Sequence, residues 1–287
     1  MPINGATKLY GLAGKPVEHS LSPAIHNFLF QRFGINGVYV AFPVEPEDFS
    51  TLLRGVSKTG LFGLNITTPH KVRACKVLTS LGATAKAVGA ANTLVRKPRG
   101  WHGVNTDGQG FCDWVEQEAS FPLKGARVVL LGAGPAARAV LCELAERKAA
   151  SVAVLNRSTD KYRKSFFRQM KKRGVLLEQK DSAKAKELLQ EAHIIINGTS
   201  WGLGGKSKGK SPWKVEKCKP EIVVDCNYHV SGKTPFIELF GKKIKKFDGQ
   251  GMLRWQAALA FTLWTGRKVT NNDHRALKQH LDKLDRP

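Results

Sequence analysis

The sequence predicts an α/β protein of two domains with mainly parallel sheets. Three observations predict it. Apolar bursts alternate with helical patterns along almost the whole chain, as strand–helix–strand units require. The 287 residues leave room for about two domains of ordinary size. The hydrophobic share, 42%, is enough to fill two cores.

The elements follow in order. Lys8–Gly14 reads as a short strand. Ser22-Pro23 then opens a helix, with Ser22 as N-cap and Pro23 at the first helical position. Phe28, Leu29 and Phe33 lie along it, and Gly34 ends it. Val38–Phe42 is the next strand, Pro46–Arg54 a helix and Leu61–Ile66 a third strand. Thr68-Pro69 caps another helix. A second unit begins near Thr106, with a helix over Asp107–Glu118. Arg127–Leu131 (RVVLL) is β-branched and apolar, as a buried parallel strand is. A Gly-rich turn and a helix to about Arg147 follow, then a strand at Ser151–Leu155. Two more units carry strands at His193–Asn197 and Glu221–Asp225. Gly202–Lys210 reads as a flexible loop. Leu253–Trp264 and Asn272–Leu284 read as helices.

Lys plus Arg number 46 against 23 Asp plus Glu, a formal net charge of +23. Residues 1–105 carry 12 basic and 4 acidic side chains and the remainder 34 and 19, so no tail holds the excess. Its densest runs are Lys161–Arg173, Lys206–Lys219 and Lys242–Lys246. We read a solvated basic surface, with salt-sensitive attraction to polyanions that follows from charge alone. The five cysteines are odd in number and lack CxxC spacing, which fits reduced thiols and no zinc site. The first residues show no signal-peptide pattern, and no run approaches the roughly 20 apolar residues of a membrane helix. A cytoplasmic protein is expected.

Gly132-Ala133-Gly134-Pro135-Ala136-Ala137 matches G-x-G-x-x-A between a buried strand and a helix. The first glycine permits a tight turn, the second lets the backbone approach a pyrophosphate, and the small last residue allows close helix–strand packing. The helix N-terminus favours the phosphate charge. The next strand ends at Asn156-Arg157-Ser158, where an NAD enzyme would carry a ribose-binding acid. Arg157 instead suits a 2′-phosphate through its planar fork, with Lys161 close behind. The expected cofactor is NADP, on a Rossmann-type domain.

The chemistry lies in other segments. Ser20 and Ser22 flank one residue at the mouth of a helix, a plausible cradle for a carboxylate. Lys71 ends Asn65-Ile66-Thr67-Thr68-Pro69-His70-Lys71 and falls in the first turn of a helix. A cation there faces the positive end of the dipole, a poor place for a lysine without a task. Gly89-Ala90-Ala91-Asn92-Thr93, Asn105-Thr106-Asp107-Gly108 and Gly249–Gln256 complete the set.

Together with Gly14–Pro23 and Asp225-x-x-Tyr228, these segments make the chain resemble the shikimate dehydrogenase family from Gly11 to Gly266. The resemblance implies NADPH-dependent, reversible reduction of 3-dehydroshikimate to shikimate, a step of aromatic amino acid and chorismate biosynthesis. It implies an N-terminal α/β substrate domain (1–105), a Rossmann-type parallel-sheet NADP domain (106–248), and C-terminal helices (249–287) packing back toward the first, with the active site in the cleft between domains. It implies that Lys71 and Asp107 form the catalytic pair, and that both touch the substrate. Ser20 and Ser22, helped by Tyr228, would bind the carboxylate, and Thr67, Asn92 and Gln256 the ring hydroxyls. Gly132, Ala133, Gly134, Pro135, Ala136, Thr199, Cys226 and Gly249 would line the cofactor, with Asn156, Arg157, Ser158 and Lys161 at its 2′-phosphate. No metal is implied. The expected partner is a small molecule, with no specific nucleic acid and no membrane, and the protein a monomer or homodimer.

Four positions depart from the family pattern. Pro135 stands where a glycine is usual and has no N–H, which puts one phosphate contact in question. Ala83 stands where an acid is frequent, Lys161 where Arg is, and Ser158 where Thr is. The alternatives are a quinate/shikimate enzyme favouring NAD, a basic nucleic-acid binder on a dehydrogenase-like fold, and a catalytically silent ligand sensor. Arg157 argues against the first, the lack of zinc or RNP motifs against the second, and the presence of Lys71 and Asp107 against the third.

Overall fold

The computed structural model describes residues 2–56, 58–159, 166–203, 210–229 and 232–284. They form two compact units. One holds the chain up to Thr106 and again from Arg254, the other Asp107–Leu253.

The first unit contains β1 (Lys8–Gly14), α1 (Ser22–Arg32), β2 (Gly37–Pro43), α2 (Phe49–Val56), β3 (Leu61–Ile66), α3 (Lys71–Val77), β4 (Ser80–Leu81), α4 (Ala83–Val88), β5 (Thr93–Lys97) and β6 (Gly100–Val104). Its six-stranded sheet runs β2-β1-β3-β5-β6-β4. β1 pairs parallel with β2 and β3, but β5 is antiparallel to β3 and to β6. The sheet is therefore mixed. The β5–β6 hairpin turns at Pro98-Arg99 into Gly100, whose φ of 115° suits glycine. Buried positions on α1 are Ser22, Ile25, His26, Leu29 and Phe30, the spacing of a single helix face. Phe49, Leu53, Leu61, Leu64, Ile66, Leu94 and Trp101 pack in one core of this unit.

Three helix starts differ from the sequence expectation. Leu21, not Ser22, is the N-cap of α1, and Ser22 is its first residue with no side-chain cap bond. α2 starts at Phe49 because residues 46–48 form a turn. α3 starts at Lys71, since residues 68–70, Pro69 among them, form the preceding turn.

The second unit contains α5 (Asp107–Gln117), β7 (Arg127–Leu131), α6 (Pro135–Glu146), β8 (Ser151–Asn156), α7 (Phe166–Lys172), β9 (Val175–Gln179), α8 (Ala183–Glu191), β10 (Ile194–Asn197), β11 (Ile222–Asp225), α9 (Pro235–Glu238) and β12 (Lys245–Phe247). The order is β12-β11-β10-β7-β8-β9, and every pair is parallel. This is the doubly wound dinucleotide-binding order, with its switch point between β7 and β10. β10 and β11 are buried throughout, as strands covered on both faces are. Burying each such Val or Ile contributes about 1.5–3 kcal/mol. α5 and α6 approach closely because a Cβ on Gly108 would sit 2.2 Å from the Ala139 carbonyl oxygen. Arg147 bonds Asp113 on α5 at 2.5 Å and Glu143 on its own helix at 2.9 Å.

α10 (Gln250–Thr265) begins in the second unit and ends in the first, and α11 (Asn271–Leu284) lies in the first. Arg32 at the end of α1 bonds Asp273 of α11 at 2.5 Å. No described helix is long and apolar enough to cross a membrane. The loop expected at Gly202–Lys210 lies largely outside the described residues.

Candidate active site

In the first unit, the residues expected to bind substrate sit at strand ends and helix starts. Ser20 precedes α1, and its hydroxyl accepts from the Ser22 N–H at 3.2 Å. Ser22 itself is buried. Thr67 follows β3; its N–H donates to the Ala13 carbonyl and its carbonyl accepts from His70 N, both at 2.9 Å. Lys71 is the first residue of α3, and its carbonyl accepts from Ala91 N at 2.9 Å. That bond ties the lysine's backbone to the segment carrying Asn92. The neighbouring His70 ring is buried, 2.8 Å from the Val44 carbonyl and stacked on Phe49 at 4.5 Å.

Asn92 is the hub of a buried polar network. Its amide nitrogen donates to Thr106 Oγ1 at 2.9 Å and to Gln256 Oε1 at 3.2 Å. Its Oδ1 accepts from Thr106 N at 2.9 Å and Thr93 Oγ1 at 3.0 Å. The network continues to Asn65, which donates to Thr93 Oγ1 at 3.0 Å and accepts from the Tyr39 hydroxyl at 2.8 Å. His26 stacks on Tyr39 at 4.4 Å, and burial pushes its imidazole down to about 3, so it is neutral. Asn92 and Gln256, both expected at the site from the sequence, are joined directly in this network. Tyr39, Thr93 and Thr106 were not read as parts of the site. No sequence pattern sets Tyr39 or Thr93 apart, since Tyr39 lies within the run of β2 and Thr93 opens β5.

In the second unit, the Gly-rich turn lies where the sequence places it. Gly132 has φ 92°, and a Cβ there would be 2.6 Å from Thr199 Cγ2. Ala133 is buried, Gly134 is the N-cap of α6, Pro135 is the first helical residue, and Ala136 follows. Gly134 has no side chain with which to cap α6, and the backbone N–H groups of a helix start suit an anion. Pro135 contributes none of these donors. Asn156 ends β8 and donates to the Ser158 carbonyl at 2.7 Å, while Arg157 and Ser158 are exposed. Lys161 lies outside the described residues.

Thr199, Cys226, Tyr228 and Gly249 gather at the carboxyl ends of β10 and β11. Cys226 N donates to the Asn197 carbonyl at 2.8 Å. A Cβ on Gly249 would fall 2.3 Å from the Cys226 carbonyl oxygen, so only glycine fits there. Asp107 is buried at the first position of α5. Lys71 and Asp107 belong to different units. Asp225 has no side-chain exposure, and burial pushes its carboxyl up to about 6 against hydrogen bonds that pull it down.

The strand order, the glycine turn and the helix start that follows it define a dinucleotide-binding protein of Rossmann type. Comparison with known proteins narrows the class. Residues 12–94 match the shikimate dehydrogenase substrate binding domain, and residues 114–224 match shikimate / quinate 5-dehydrogenase. A shikimate dehydrogenase (NADP(+)) of Streptococcus sanguinis is 33% identical over 95% of this chain and 96% of its own. A crystal structure of a shikimate dehydrogenase in complex with NADP+ superposes with TM-score 0.88 at 32% identity, covering 100% of this chain and 98% of that one. The shikimate 5-dehydrogenase of Listeria monocytogenes, in complex with shikimate and NAD, superposes with TM-score 0.83 at 28% identity, covering 98% of each chain. The chain belongs to the shikimate dehydrogenase family.

Proposed function

We propose that this protein is an NADP-dependent shikimate dehydrogenase that reversibly reduces 3-dehydroshikimate to shikimate, within aromatic amino acid and chorismate biosynthesis. The observation that carries the reading is full-length similarity to NADP-dependent shikimate dehydrogenases, spanning both units. The small-residue turn at 132–136 and the start of α6 suit a pyrophosphate, with Thr199, Cys226 and Gly249 beside it. Asn156, Arg157, Ser158 and Lys161 hold the 2′-phosphate. When bound, NADPH supplies the hydride to the C3 carbonyl carbon.

The chain's own residues do the rest. Ser20 and Ser22 hold the carboxylate, with the Tyr228 hydroxyl. Thr67, Asn92 and Gln256 orient the ring hydroxyls, and the Asn92 network limits their freedom to move. Lys71 presents its ammonium to the C3 oxygen, stabilises the negative charge that grows there, and donates the proton. Asp107 orients Lys71. In the reverse direction Lys71 accepts the hydroxyl proton of shikimate. Residues 1–105 form the substrate domain, 106–248 the cofactor domain, and 249–287 complete the substrate side. The protein acts in the cytoplasm as a monomer or homodimer on small molecules, without a specific nucleic-acid or membrane partner.

The test is a steady-state assay of purified protein with shikimate and quinate, each with NADP and NAD. Shikimate with NADP is expected to give the highest kcat/KM. A preference for NAD or for quinate would overturn the corresponding half of the reading.

A further inference from the structure

Two loops at the carboxyl edge of the second sheet are fastened to a single buried side chain. The first, residues 198–201, follows β10 and packs Thr199 against Gly132 of the Gly-rich turn. The second, residues 226–229, follows β11 and carries Tyr228. β10 ends in Asn197 and β11 in Asp225, and these two residues are register partners. Both are fully buried.

Asp225 Oδ1 accepts from Asn197 Nδ2 at 2.8 Å and from the Asn227 N–H at 2.9 Å. Its Oδ2 accepts from the Thr234 hydroxyl at 2.7 Å. The two asparagines then fix the first loop. Asn197 Oδ1 accepts from Thr199 N at 3.1 Å and Thr199 Oγ1 at 2.6 Å. Asn227 Nδ2 donates to the Thr199 carbonyl at 2.9 Å and the Trp201 carbonyl at 3.1 Å. One carboxyl group thus sets the amide orientation of Asn197 and the backbone of Asn227. Through them it holds both loops. A buried carboxyl is expensive to keep in an apolar strand end unless its acceptors are needed.

We propose that Asp225 is a positioning residue that locks loops 198–201 and 226–229 to one another, so that the cofactor-side wall at Thr199 and the substrate-side Tyr228 are placed together. The proposal rests on the reading of Thr199 as a cofactor contact and Tyr228 as a substrate contact. The carboxyl acts by geometry rather than by charge. In Asp225→Asn the carbonyl oxygen still accepts from Asn197 and Asn227, the new amide nitrogen faces Thr234, and the Thr234 hydroxyl turns to accept from it.

Kinetics and hydrogen–deuterium exchange on the full chain test it. Asp225→Ala is expected to raise the KM for NADP and the KM for shikimate together, each by about tenfold, the scale of one buried hydrogen bond lost. Tyr228→Phe is expected to raise the KM for shikimate alone. Asp225→Asn is expected to restore both constants to within about twofold of the wild type, since it keeps the bonds. Without ligand, residues 198–203 and 226–229 are expected to exchange faster in Asp225→Ala than in the wild type, both loops at once. If Asp225→Ala does not fold, Thr234→Val removes only the Oδ2 partner and is expected to move both constants and both loops in the same direction by less.

A general loss of active protein would lower kcat with both KM values unchanged, and that result overturns the proposal. So does a rise in one KM alone, acceleration of one loop alone, or a failure of Asn to rescue. If the wild type fails to oxidise shikimate with NADP, the functional reading falls, while loop exchange in the ligand-free variants still decides the lock.

Discussion

The Asn92 network of the first unit and the Asp225 hub of the second are built in opposite ways. In the first unit the polar centre is neutral: Tyr39, Asn65, Asn92, Thr93, Thr106 and Gln256 are amides and hydroxyls that both donate and accept. In the second it is built around one ionisable acid, Asp225, whose oxygens only accept when charged. A neutral network tolerates a lost partner by turning a hydroxyl. A carboxylate hub does not. The difference suits the two tasks proposed above, orienting ring hydroxyls in the first unit and fastening two backbone loops in the second.

The largest effects separate the units by what they move. Lys71→Ala is expected to lower kcat by about 10²–10⁴-fold, the usual share of a general acid–base group, with little change in either KM. Unchanged turnover would remove Lys71 from the chemistry. Next in size, Arg157→Ala is expected to raise the KM for NADP about 10–100-fold and that for NAD hardly at all, leaving shikimate's KM in place. Equal effects on the two cofactors would show that Arg157 does not read the 2′-phosphate.

Lys71 and Arg157 drew notice from their placement, at a helix start where a cation is disfavoured and after a strand where an acid would suit NAD, and the placement is what the structure shows. The four central strands of the second sheet were read from the sequence because their runs are short, apolar and bounded by turns. β9 and β12 were missed, being edge strands with charged or half-exposed residues. The β5–β6 hairpin was missed as well, since Thr93–Lys97 carries only three apolar-compatible residues before two cations. The start of α3 was misplaced by a proline that reads as a first helical residue and is not one. The Asn92 network was invisible for a different reason. Its bonds join residues up to 164 positions apart, and only strand pairing and α10 bring them together.

Acid provides a sharper contrast. His26 in the first unit titrates at about 3 in the fold and near 6.5 in the unfolded chain. Between those values the unfolded chain binds the proton and the fold does not, so this group lowers stability as pH falls below 6.5. Asp225 behaves inversely. Its carboxyl titrates at about 6 in the fold and near 3.8 unfolded. The fold therefore holds the proton more tightly, and stability from this group rises as pH falls from 6 toward 4. Urea unfolding of His26→Phe and Asp225→Asn at pH 7 and pH 5 measures both. Relative to the wild type, His26→Phe is expected to gain about 2 kcal/mol on going to pH 5, and Asp225→Asn to lose about 1–2 kcal/mol. Parallel slopes in the two variants would erase the contrast.

The smallest effect probes the neutral network directly. Tyr39→Phe removes one hydroxyl and leaves the ring packed on His26 and Trp264. Asn65 Oδ1 then loses its donor in a buried place, which costs about 1–2 kcal/mol in urea unfolding. Asn65 still donates to Thr93 Oγ1 and to the Asn92 carbonyl, so Asn92 keeps its orientation. The KM for shikimate is therefore expected to rise by less than about threefold, and that for NADP not at all. A tenfold rise in shikimate's KM would mean that the network transmits a lost bond as rigidly as the carboxylate hub does. The difference between the two units would then lie in their charge alone and not in their tolerance.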